Sequence, residues 1–333
     1  MAADLGDSDQ DEEAVCVPEE VDSPVPRCLR PLRGLRAQGE MAGMLTETAW
    51  RRLRFGKVLG KGSFGTVFKA RVAGSRDVFA VKSLHLGASA GNCSVDTEFG
   101  ILCRLSHPNV VALRGAFRDQ ECFYFVLELC DGGTLAHKVK HFWDGTDVPG
   151  VKDDGGRGLP AGMVIRHVWQ MLAGAVYLHH HRFVHRDIKP NNYMFDTCSD
   201  ASPLRLIDFG SACVYAKGVP MAKRVGTLHY AAPEVFSGSF SEKCDVWSIG
   251  ASTFYSCVAY HPICGATEQE TLAMVRRGQR EFKPRDWKWL PPKVKSLVEE
   301  LMTVSPELRP SAKAVASAHE WLNKRTLWAE APC

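Results

Sequence analysis

The chain has 333 residues, of which 45% are hydrophobic and 24% are charged, a composition typical of a globular protein large enough to form two lobes or domains. Its formal net charge of +3 at pH 7 favours neither nucleic acid nor membrane as a partner. No apolar run reaches the roughly 18 residues needed to span a bilayer, and the segment after Met1 lacks the apolar core of a signal peptide.

The 12 cysteines are scattered from Cys16 to Cys333, and no two of them stand at the C-x-x-C spacing of zinc ribbons and thioredoxin sites. This pattern favours free thiols over disulfides or a zinc site. Free thiols persist in a reducing compartment. We therefore expect a cytoplasmic protein, and the sequence does not exclude that it also enters the nucleus.

Residues 1–49 are predicted to lie outside the folded part of the chain. The first 22 residues contain nine acids and neither Lys nor Arg, which is typical of a disordered, solvated arm. Arginine then recurs among prolines, at Arg27, Arg30, Arg33 and Arg36. A flexible basic linker is the simpler interpretation, and docking to an acidic partner is the alternative.

Residues 58–68, VLGKGSFGTVF, carry Gly60, Gly62 and Gly65 at G-x-G-x-x-G spacing. Glycine has no Cβ, so such a backbone can approach phosphate oxygens closely. Dinucleotide-binding folds, P-loop proteins and protein kinases all use turns of this kind. The spacing alone does not choose between them.

The residues that follow make this choice. TVFKARV and VFAVKSL alternate apolar and polar side chains and therefore predict two strands. A dinucleotide fold requires a helix here and then an acid, whereas the chain has Lys82; a P-loop requires lysine after the last glycine, and that residue is Thr66. A strand, a glycine turn, a second strand and a lysine on the next strand are the kinase arrangement.

The second half of the chain adds a helix and three motifs. Apolar residues with helical spacing between Val164 and Leu178 predict a long buried helix. HRDIKPNN at 185–192, LIDFG at 206–210 and GTLHYAAPE at 226–234 follow in that order. With the glycine loop and Lys82, these motifs make residues 50–322 resemble a eukaryotic-type serine/threonine protein kinase.

The resemblance implies an α+β, bilobal fold: a small β-rich N-lobe at about 50–127, a hinge at about 128–133 and a larger, mainly helical C-lobe at about 134–322, with 323–333 as a short tail. Residues 141–160, rich in glycine and aspartate, are interpreted as a mobile surface insertion. The implied cofactors are ATP and Mg²⁺, and the implied partners are proteins that carry Ser or Thr acceptors.

The same resemblance implies four residues for the transfer of phosphate. Asp187 would accept the proton of the substrate hydroxyl, and Lys189 would contact the γ-phosphoryl group. Asn192 and Asp208 would hold Mg²⁺ against the phosphates.

Three further residues would support this group. Lys82 would pair with the α- and β-phosphates, and Glu98, nine residues before His107 of the HPN motif, would hold Lys82. Thr227 would hydrogen-bond Asp187 and Lys189 where the acceptor residue arrives.

The implied nucleotide pocket is lined by the glycine loop, the hinge and a few apolar side chains. Leu127 would be the gatekeeper, and the backbone of Glu128 and Cys130 would meet adenine. The full set of implied cofactor-binding residues is Leu59, Gly60, Gly62, Gly65, Val67, Ala80, Lys82, Glu98, Glu128, Cys130, Met194 and Asp208.

Other matching positions would be structural. Glu234 would pair with Arg309, and Asp245 would anchor the catalytic loop. The residues expected in the apolar spine are Leu102, His185 and Phe209. The run of histidines at 179–181 suggests a metal site, but no cysteine or acid cluster completes it, so His179 is interpreted as the end of the long helix.

Within kinases, CDGGTL, GTLHYAAPEV and DVWSIG are most similar to the calcium/calmodulin-dependent and calcium-dependent group. Two acids of that group are replaced, by Thr134 and Asn191, so we expect a weaker preference for arginine upstream of the acceptor. No EF-hand or basic amphipathic calmodulin-binding helix is recognisable, so the sequence does not support a calcium or calmodulin link.

The activation segment departs from a common pattern. Many kinases phosphorylate a Ser or Thr four residues before the threonine of the GT motif, and the phosphate pairs with the arginine of HRD. That position is Lys223. Ser211 and Tyr215 carry the only hydroxyls between Phe209 and Thr227, and both are expected to lie near the metal-binding end, poorly placed to reach Arg186. We therefore expect activity without phosphorylation of this segment.

Two other functions are alternatives to an active kinase. A pseudokinase scaffold would keep the fold without turnover, but such proteins commonly lack at least one of Lys82, Glu98, Asp187, Asn192 and Asp208, and all five are present. A nucleotide-dependent oxidoreductase would require the helix that the strands after Gly65 replace.

Overall fold

The computed structural model describes residues 30–31, 52–62, 65–86, 93–119, 121–143, 158–319 and 322. Most of the predicted arm and linker, residues 144–157 of the predicted insertion and the tail at 323–333 lie outside the described residues.

A six-stranded antiparallel sheet forms the N-terminal lobe. Its strands are β1 (Arg30–Pro31), β2 (Leu53–Gly62), β3 (Gly65–Val72), β4 (Val78–His85), β5 (Leu113–Arg118) and β6 (Cys122–Glu128), in the spatial order β1-β5-β6-β4-β3-β2. The two strands predicted after the glycine turn are confirmed as β3 and β4.

Alternation along β4 places Lys82 on the inner face of this sheet. Val81 is fully buried in the outer cluster with Leu53 and Val126, and successive side chains of a strand point to opposite faces. Lys82 therefore points inward, where Val67 of β3 lies opposite it in the register. The first helix, α1 (Cys93–Leu102), packs on this inner face through Phe99, whose ring lies 5.7 Å from that of Phe123.

The C-terminal lobe is mainly helical. Its helices are α2 (Leu135–Trp143), α3 (Ala161–His180), α4 (Pro233–Ser237), α5 (Lys243–Val258), α6 (Glu268–Arg276), α7 (Pro284–Trp287), α8 (Pro292–Leu301) and α9 (Ala312–Ala318). Short strands β7 (Phe183–Val184), β8 (Tyr193–Phe195), β9 (Leu204–Leu206) and β10 (Cys213–Val214) form two antiparallel pairs, β8 with β9 and β7 with β10. Two 3₁₀ turns cover Pro190–Asn192 and Leu228–Tyr230.

The long helix predicted between Val164 and Leu178 is confirmed as α3, and with α8 it encloses α5. Nearly every residue of α5 is buried, including the polar Ser252 and Thr253, whose hydroxyls donate to carbonyls one turn back in the helix. A helix enclosed on all sides in this way gives the lobe a fixed centre. The predicted bilobal α+β class is confirmed.

Two parts of the chain differ from the sequence-based expectation. The backbone of Arg30–Pro31, predicted as linker, pairs with the edge of β5. The ends of the 141–160 segment also belong to the fold, because α2 extends to Trp143 and Leu159 is buried. At Gly158 an added Cβ would lie 2.1 Å from the carbonyl oxygen of Cys257, so this backbone is closely packed.

None of the helices that the structure describes is long and apolar enough to cross a bilayer.

Candidate active site

A buried lysine connects the two lobes. The Lys82 Nζ lies 2.8 Å from Glu98 Oε1 of α1 and 2.8 Å from Asp208 Oδ1, which follows β9. Strand β4 fixes the lysine stem, and α1 presents the glutamate from the inner face of the sheet. The ion pair holds the ammonium group at the opening between the lobes.

Burial and neighbouring charge oppose each other in this cluster. Burial acts to lower the pKa of Lys82, but Glu98 and Asp208 outweigh it and raise that pKa above its ordinary value. Burial also acts to raise the pKa of Asp208, but the charge of Lys82 outweighs this and lowers it. Lys82 and Asp208 are therefore held as a cation and an anion at neutral pH.

The loop after β7 brings four further residues together. Thr227 Oγ1 donates to Asp187 Oδ1 at 2.8 Å and accepts from Lys189 Nζ at 2.8 Å. Lys189 Nζ also lies 3.0 Å from Asp187 Oδ2. Asn192 Nδ2 donates to the Asp187 backbone oxygen at 2.8 Å and to Oδ2 at 3.2 Å. Because its amide nitrogen makes both bonds, Asn192 Oδ1 is left as an acceptor.

Asp245 of α5 holds the backbone of this loop. Its carboxylate accepts from the backbone N–H groups of His185 and Arg186, both at 2.9 Å, and lies 3.0 Å from His179 Nε2. Burial acts to raise the pKa of Asp245, but the bond to His179 and the other donors lower it. The carboxylate is therefore ionised, and His179 of the histidine run serves as its partner.

Two residues of the site adopt left-handed backbone conformations. The φ angles of Arg186 and Asp208 are 67° and 61°, which cost about 1–2 kcal/mol each for residues other than glycine. The bonds from Asp245 fix the first residue, and the contact with Lys82 fixes the second. Surrounding contacts thus maintain a strained backbone next to the proposed chemistry.

The glycines of the β2–β3 hairpin are not equivalent. Gly65 has φ 129°, and an added Cβ would lie 1.9 Å from the Ser83 carbonyl oxygen, so the fold itself requires glycine there. At Gly60 and Gly62, an added Cβ would meet no described atom within 4 Å. Packing of the described chain therefore does not explain these two glycines, whereas close approach of a ligand would.

The expected adenine-binding residues lie around the hinge. Val67 and Ala80 lie on neighbouring strands β3 and β4, Leu127 pairs with Ala80, and Met194 of β8 is bridged to Thr134. All five of these side chains are half-buried.

Leu59 of β2 is 40% exposed. The two hinge residues, Glu128 and Cys130, make side-chain contacts of their own. Cys130 is buried, and its Sγ lies 3.6 Å from Asp196 Oδ1. Burial raises the pKa of the Cys130 thiol to about 12. Glu128 Oε1 accepts from the Ala112 N–H at 2.8 Å. At neutral pH Cys130 is therefore a neutral thiol within the hinge.

Sequence analysis did not identify two arginines, Arg205 and Arg114, that bind the hinge residue Glu128. Arg205 Nη1 lies 3.0 Å from Glu128 Oε1, and its guanidinium also binds Asp196. Arg114 Nη2 lies 3.3 Å from Glu128 Oε2. These ion pairs tie the hinge to β5 and β9, and no motif marks them because the partners are far apart in sequence.

Thr134, which replaces an acid of the calcium-dependent group, caps the start of a helix. Its Oγ1 accepts from the His137 N–H at 3.1 Å at the start of α2, as capping hydroxyls commonly do.

A model of the protein kinase domain matches residues 53–322. The chain belongs to the protein kinase domain family. It is 31% identical over 268 residues to calcium-dependent protein kinase 3 of Plasmodium yoelii yoelii, which covers 80% of this chain and 47% of that relative. It is 30% identical over 277 residues to calcium-dependent protein kinase 4 of Plasmodium falciparum, which covers 81% of this chain and 49% of that relative.

The predicted resemblance to the calcium-dependent group is confirmed by these matches. The chain spans about half the length of the curated relatives that it matches.

The kinase fold includes the expected internal contacts. Leu102, His185 and Phe209 are all buried, and the His185 and Phe209 rings lie 5.0 Å apart in an edge-to-face arrangement. Arg309 forms a buried bidentate ion pair with Glu234, at 2.5 and 3.0 Å.

The kinase activation segment is held by contacts that need no phosphate. Met221 and Phe240 exchange backbone hydrogen bonds of 2.8 and 3.1 Å. The Tyr215 hydroxyl donates to the His179 carbonyl oxygen at 3.1 Å. Arg186 Nε donates to the Ser211 carbonyl oxygen at 2.7 Å, so Ser211 reaches Arg186 through its backbone, and the expectation for its hydroxyl stays a prediction. A turn after Asp208 brings the backbone of Ser211 to the guanidinium.

We expect the unphosphorylated chain to keep kinase activity, because Arg186 already has a backbone partner and the segment is fixed at Tyr215 and Met221. The chain would be produced in a host without related kinases and treated with phosphatase, and mass spectrometry would verify that residues 209–227 are unmodified. Its rate should stay within about threefold of that of the untreated chain. A drop of more than about tenfold, or roughly 1.4 kcal/mol of barrier, that phosphate on this segment restores would contradict the expectation.

Proposed function

We propose that the chain is an active serine/threonine protein kinase that transfers the γ-phosphate of ATP to Ser or Thr hydroxyls of proteins. The observation that carries the proposal is the contact set of Asp187, Lys189 and Thr227, in which a carboxylate and an ammonium group both bind one hydroxyl. Side chains used only for packing have no reason to converge in this way.

The residues fit a nucleotide that carries a metal ion. Gly60 and Gly62 leave open space at the hairpin where a backbone can approach phosphates. Lys82 supplies a buried cation for them. Asn192 Oδ1 and the second oxygen of Asp208 are hard acceptors of the kind that Mg²⁺ prefers. When bound, Mg²⁺ would neutralise charge that develops on the phosphates.

Asp187 acts on the acceptor hydroxyl in this proposal. Its carboxylate is held by Thr227, Lys189 and Asn192, so it needs little reorganisation when a substrate hydroxyl replaces one of these partners. Positioning of the nucleophile, with a proton acceptor in hydrogen-bond reach, is the main contribution that a protein makes to this transfer. Lys189, beside it, offers positive charge to the group being transferred.

The preference for Ser and Thr over Tyr rests on Lys189. Lysine at this position is the serine/threonine pattern, and the relatives matched above are named calcium-dependent protein kinases. The weaker preference for upstream arginine, inferred from Thr134 and Asn191, stays a prediction. The chain spans only about half the length of the calcium-dependent relatives, and calcium control is not proposed for it.

The test is transfer of label from γ-³²P-ATP to peptide libraries with a fixed Ser, Thr or Tyr acceptor. We expect Mg²⁺-dependent label on Ser and Thr, little on Tyr, and none after chelation. If the wild-type chain binds ATP, as shown by a raised melting temperature, but labels no library, the scaffold alternative is correct.

A further inference from the structure

An aromatic cluster begins two residues after Thr227, whose hydroxyl binds Asp187. The 3₁₀ turn Leu228–Tyr230 follows Thr227 directly and carries His229 at its centre. Such a turn rises about 2.0 Å per residue, so His229 lies about 4 Å along the turn from Thr227. An extended peptide advances about 3.3 Å per residue. A substrate whose acceptor hydroxyl reaches Asp187 would therefore bring a residue near its acceptor beside His229.

The rings of this cluster are stacked. The His229 and His261 rings have centroids 4.3 Å apart and an angle of 12° between their planes. The Tyr255 ring of α5 stacks on the same His261 ring at 5.4 Å and 27°. Tyr230 meets His261 edge-on at 5.2 Å. His261 is thus packed by three rings, and His229 is the end of the stack nearest to Thr227.

His229 is held in one orientation. Its Nδ1 lies 3.1 Å from the carbonyl oxygen of Ile263, which accepts a hydrogen bond from it. Within the part of the chain that the structure describes, His261 is the only ring stacked on His229, and the His229 side chain is half-buried. A fixed ring loses little conformational entropy when a ligand covers its face. The end of the stack is therefore a pre-organised flat surface.

The rings behind His229 are uncharged at neutral pH. Burial, and after it the charge of His229, lower the pKa of His261 to about 4. Burial raises the pKa of Tyr255 and of Tyr230. The causes of these shifts include no Asp, Glu, Lys or Arg side chain. A charged ligand would find no ion-pair partner among these rings, whereas an aromatic ring would extend the stack.

Aromatic clusters more often serve packing than binding, and two features of this one speak against packing alone. Ala259, which follows α5 and leads to His261, has φ 57°, an unfavourable left-handed conformation for alanine. His261 Nδ1 is buried without a hydrogen-bond partner among the described residues, which is also unfavourable. Departures of this kind are concentrated at functional sites.

We propose that His229, His261 and Tyr255 form an aromatic platform that binds a Phe, Tyr or Trp side chain of the protein substrate within three residues of the acceptor hydroxyl. This rests on the proposed kinase function and specifies its substrate class. His229 stacks on the substrate ring, and His261 supports His229. Because aromatic pairs stabilise by more than the area that they bury, the platform prefers an aromatic side chain to an aliphatic one.

The first experiment scans peptides with one Ser acceptor, in which Ala, Leu, Phe, Trp, Glu or Arg occupies in turn each of the three positions on either side. At one position we expect kcat/KM to be at least about fivefold higher for Phe or Trp than for Ala, and at least about twofold higher than for Leu. The gain should lie mostly in KM, because the contact forms on binding. If no position favours an aromatic residue over Leu, or if Arg or Glu is favoured beside the acceptor instead, the platform is wrong.

The variants are His229→Ala and His229→Phe, with His180→Ala as a matched control that removes an exposed histidine of α3. The ratio of kcat/KM between the Phe peptide and the Ala peptide should fall below about twofold in His229→Ala. It should persist in His229→Phe, which keeps a flat ring, and in His180→Ala. Equal losses in the two His229 variants, or an unchanged ratio in His229→Ala, overturn the platform. If melting shows that His229→Ala is unfolded, the scan with the wild-type chain and the His229→Phe result decide.

A binding measurement separates this proposal from the kinase function itself. Fluorescence anisotropy with labelled forms of the scanned Phe and Leu peptides, without ATP, reports the platform without turnover. We expect the Phe peptide to bind at least about twofold more tightly at one position, and this difference to be lost in His229→Ala. Equal binding of the two peptides at every position overturns the platform even if transfer occurs. Tighter binding of the Phe peptide without any transfer supports the platform and contradicts the proposed function.

Discussion

Asp208→Asn is expected to lower the rate of phosphoryl transfer on the order of 10³-fold, or several kcal/mol of barrier. The change removes the negative charge that lies 2.8 Å from Lys82 Nζ and that would hold Mg²⁺. The amide that replaces it is nearly isosteric and neutral, so the fold should be retained while the metal loses an anionic ligand. Steady-state transfer to a generic Ser peptide measures the effect.

Asp187→Asn should lower the rate by a similar factor, because it removes the proton acceptor and weakens the contacts with Thr227 and Lys189. Asp200→Asn is the matched control. Asp200 also pairs with a lysine, Lys138 at 2.7 Å, but its side chain is 72% exposed and lies away from the site. The transfer rate of the Asp200→Asn variant should stay within about twofold of wild type, since exposed ion pairs contribute only about 0.2–1 kcal/mol to stability.

ATP binding of each variant shows which step is lost. If wild type and Asp208→Asn transfer phosphate equally slowly while both bind ATP, the site is not catalytic and the chain is a scaffold. If Asp208→Asn transfers at the wild-type rate, the metal is held elsewhere, and the role assigned to Asp208 is wrong.

The sequence predicted the local parts of this site well because each of them is encoded by neighbouring residues. The glycine turn and the alternation of TVFKARV and VFAVKSL predicted the hairpin and the strand that carries Lys82. HRDIKPNN places Asp187, Lys189 and Asn192 within a single loop, so their proximity follows from chain connectivity. The spacing from Glu98 to the HPN motif identified the partner of Lys82 by resemblance.

The parts that sequence analysis did not identify depend on contacts between distant segments. Arg205 meets Glu128 across 77 positions of sequence and belongs to no motif. The Ser211 carbonyl oxygen is a backbone group, so side-chain identity gives no sign that it binds Arg186. The pairing of Arg30–Pro31 with β5 was also not expected, since arginine and proline in a charged segment are typical of a linker.

Glu234→Gln is expected to destabilise the kinase domain by about 3–5 kcal/mol, as the removal of one partner from a buried ion pair does. Arg309 is fully buried, and Glu234 binds it through two hydrogen bonds. Without the carboxylate, the guanidinium keeps only backbone carbonyl oxygens, of which Thr303 and Lys243 lie at 2.8 and 2.9 Å. Water cannot easily replace the lost charge, because the Arg309 guanidinium also lies 5.0 Å from the ring of Trp247.

Glu299→Gln provides the comparison, because it breaks an exposed ion pair within one helix, between Lys295 and Glu299 at 3.7 Å, with both side chains nearly half exposed. Thermal scans at one fixed rate should show a loss of roughly 6–10 °C for Glu234→Gln, at about 2 °C per kcal/mol for a domain of this size, and less than about 1 °C for Glu299→Gln. Combining Glu234→Gln with Arg309→Met should restore part of the loss, since no uncompensated charge is then buried. Equal losses in Glu234→Gln and Glu299→Gln would contradict the inference that the buried pair stabilises the domain more than an exposed pair does.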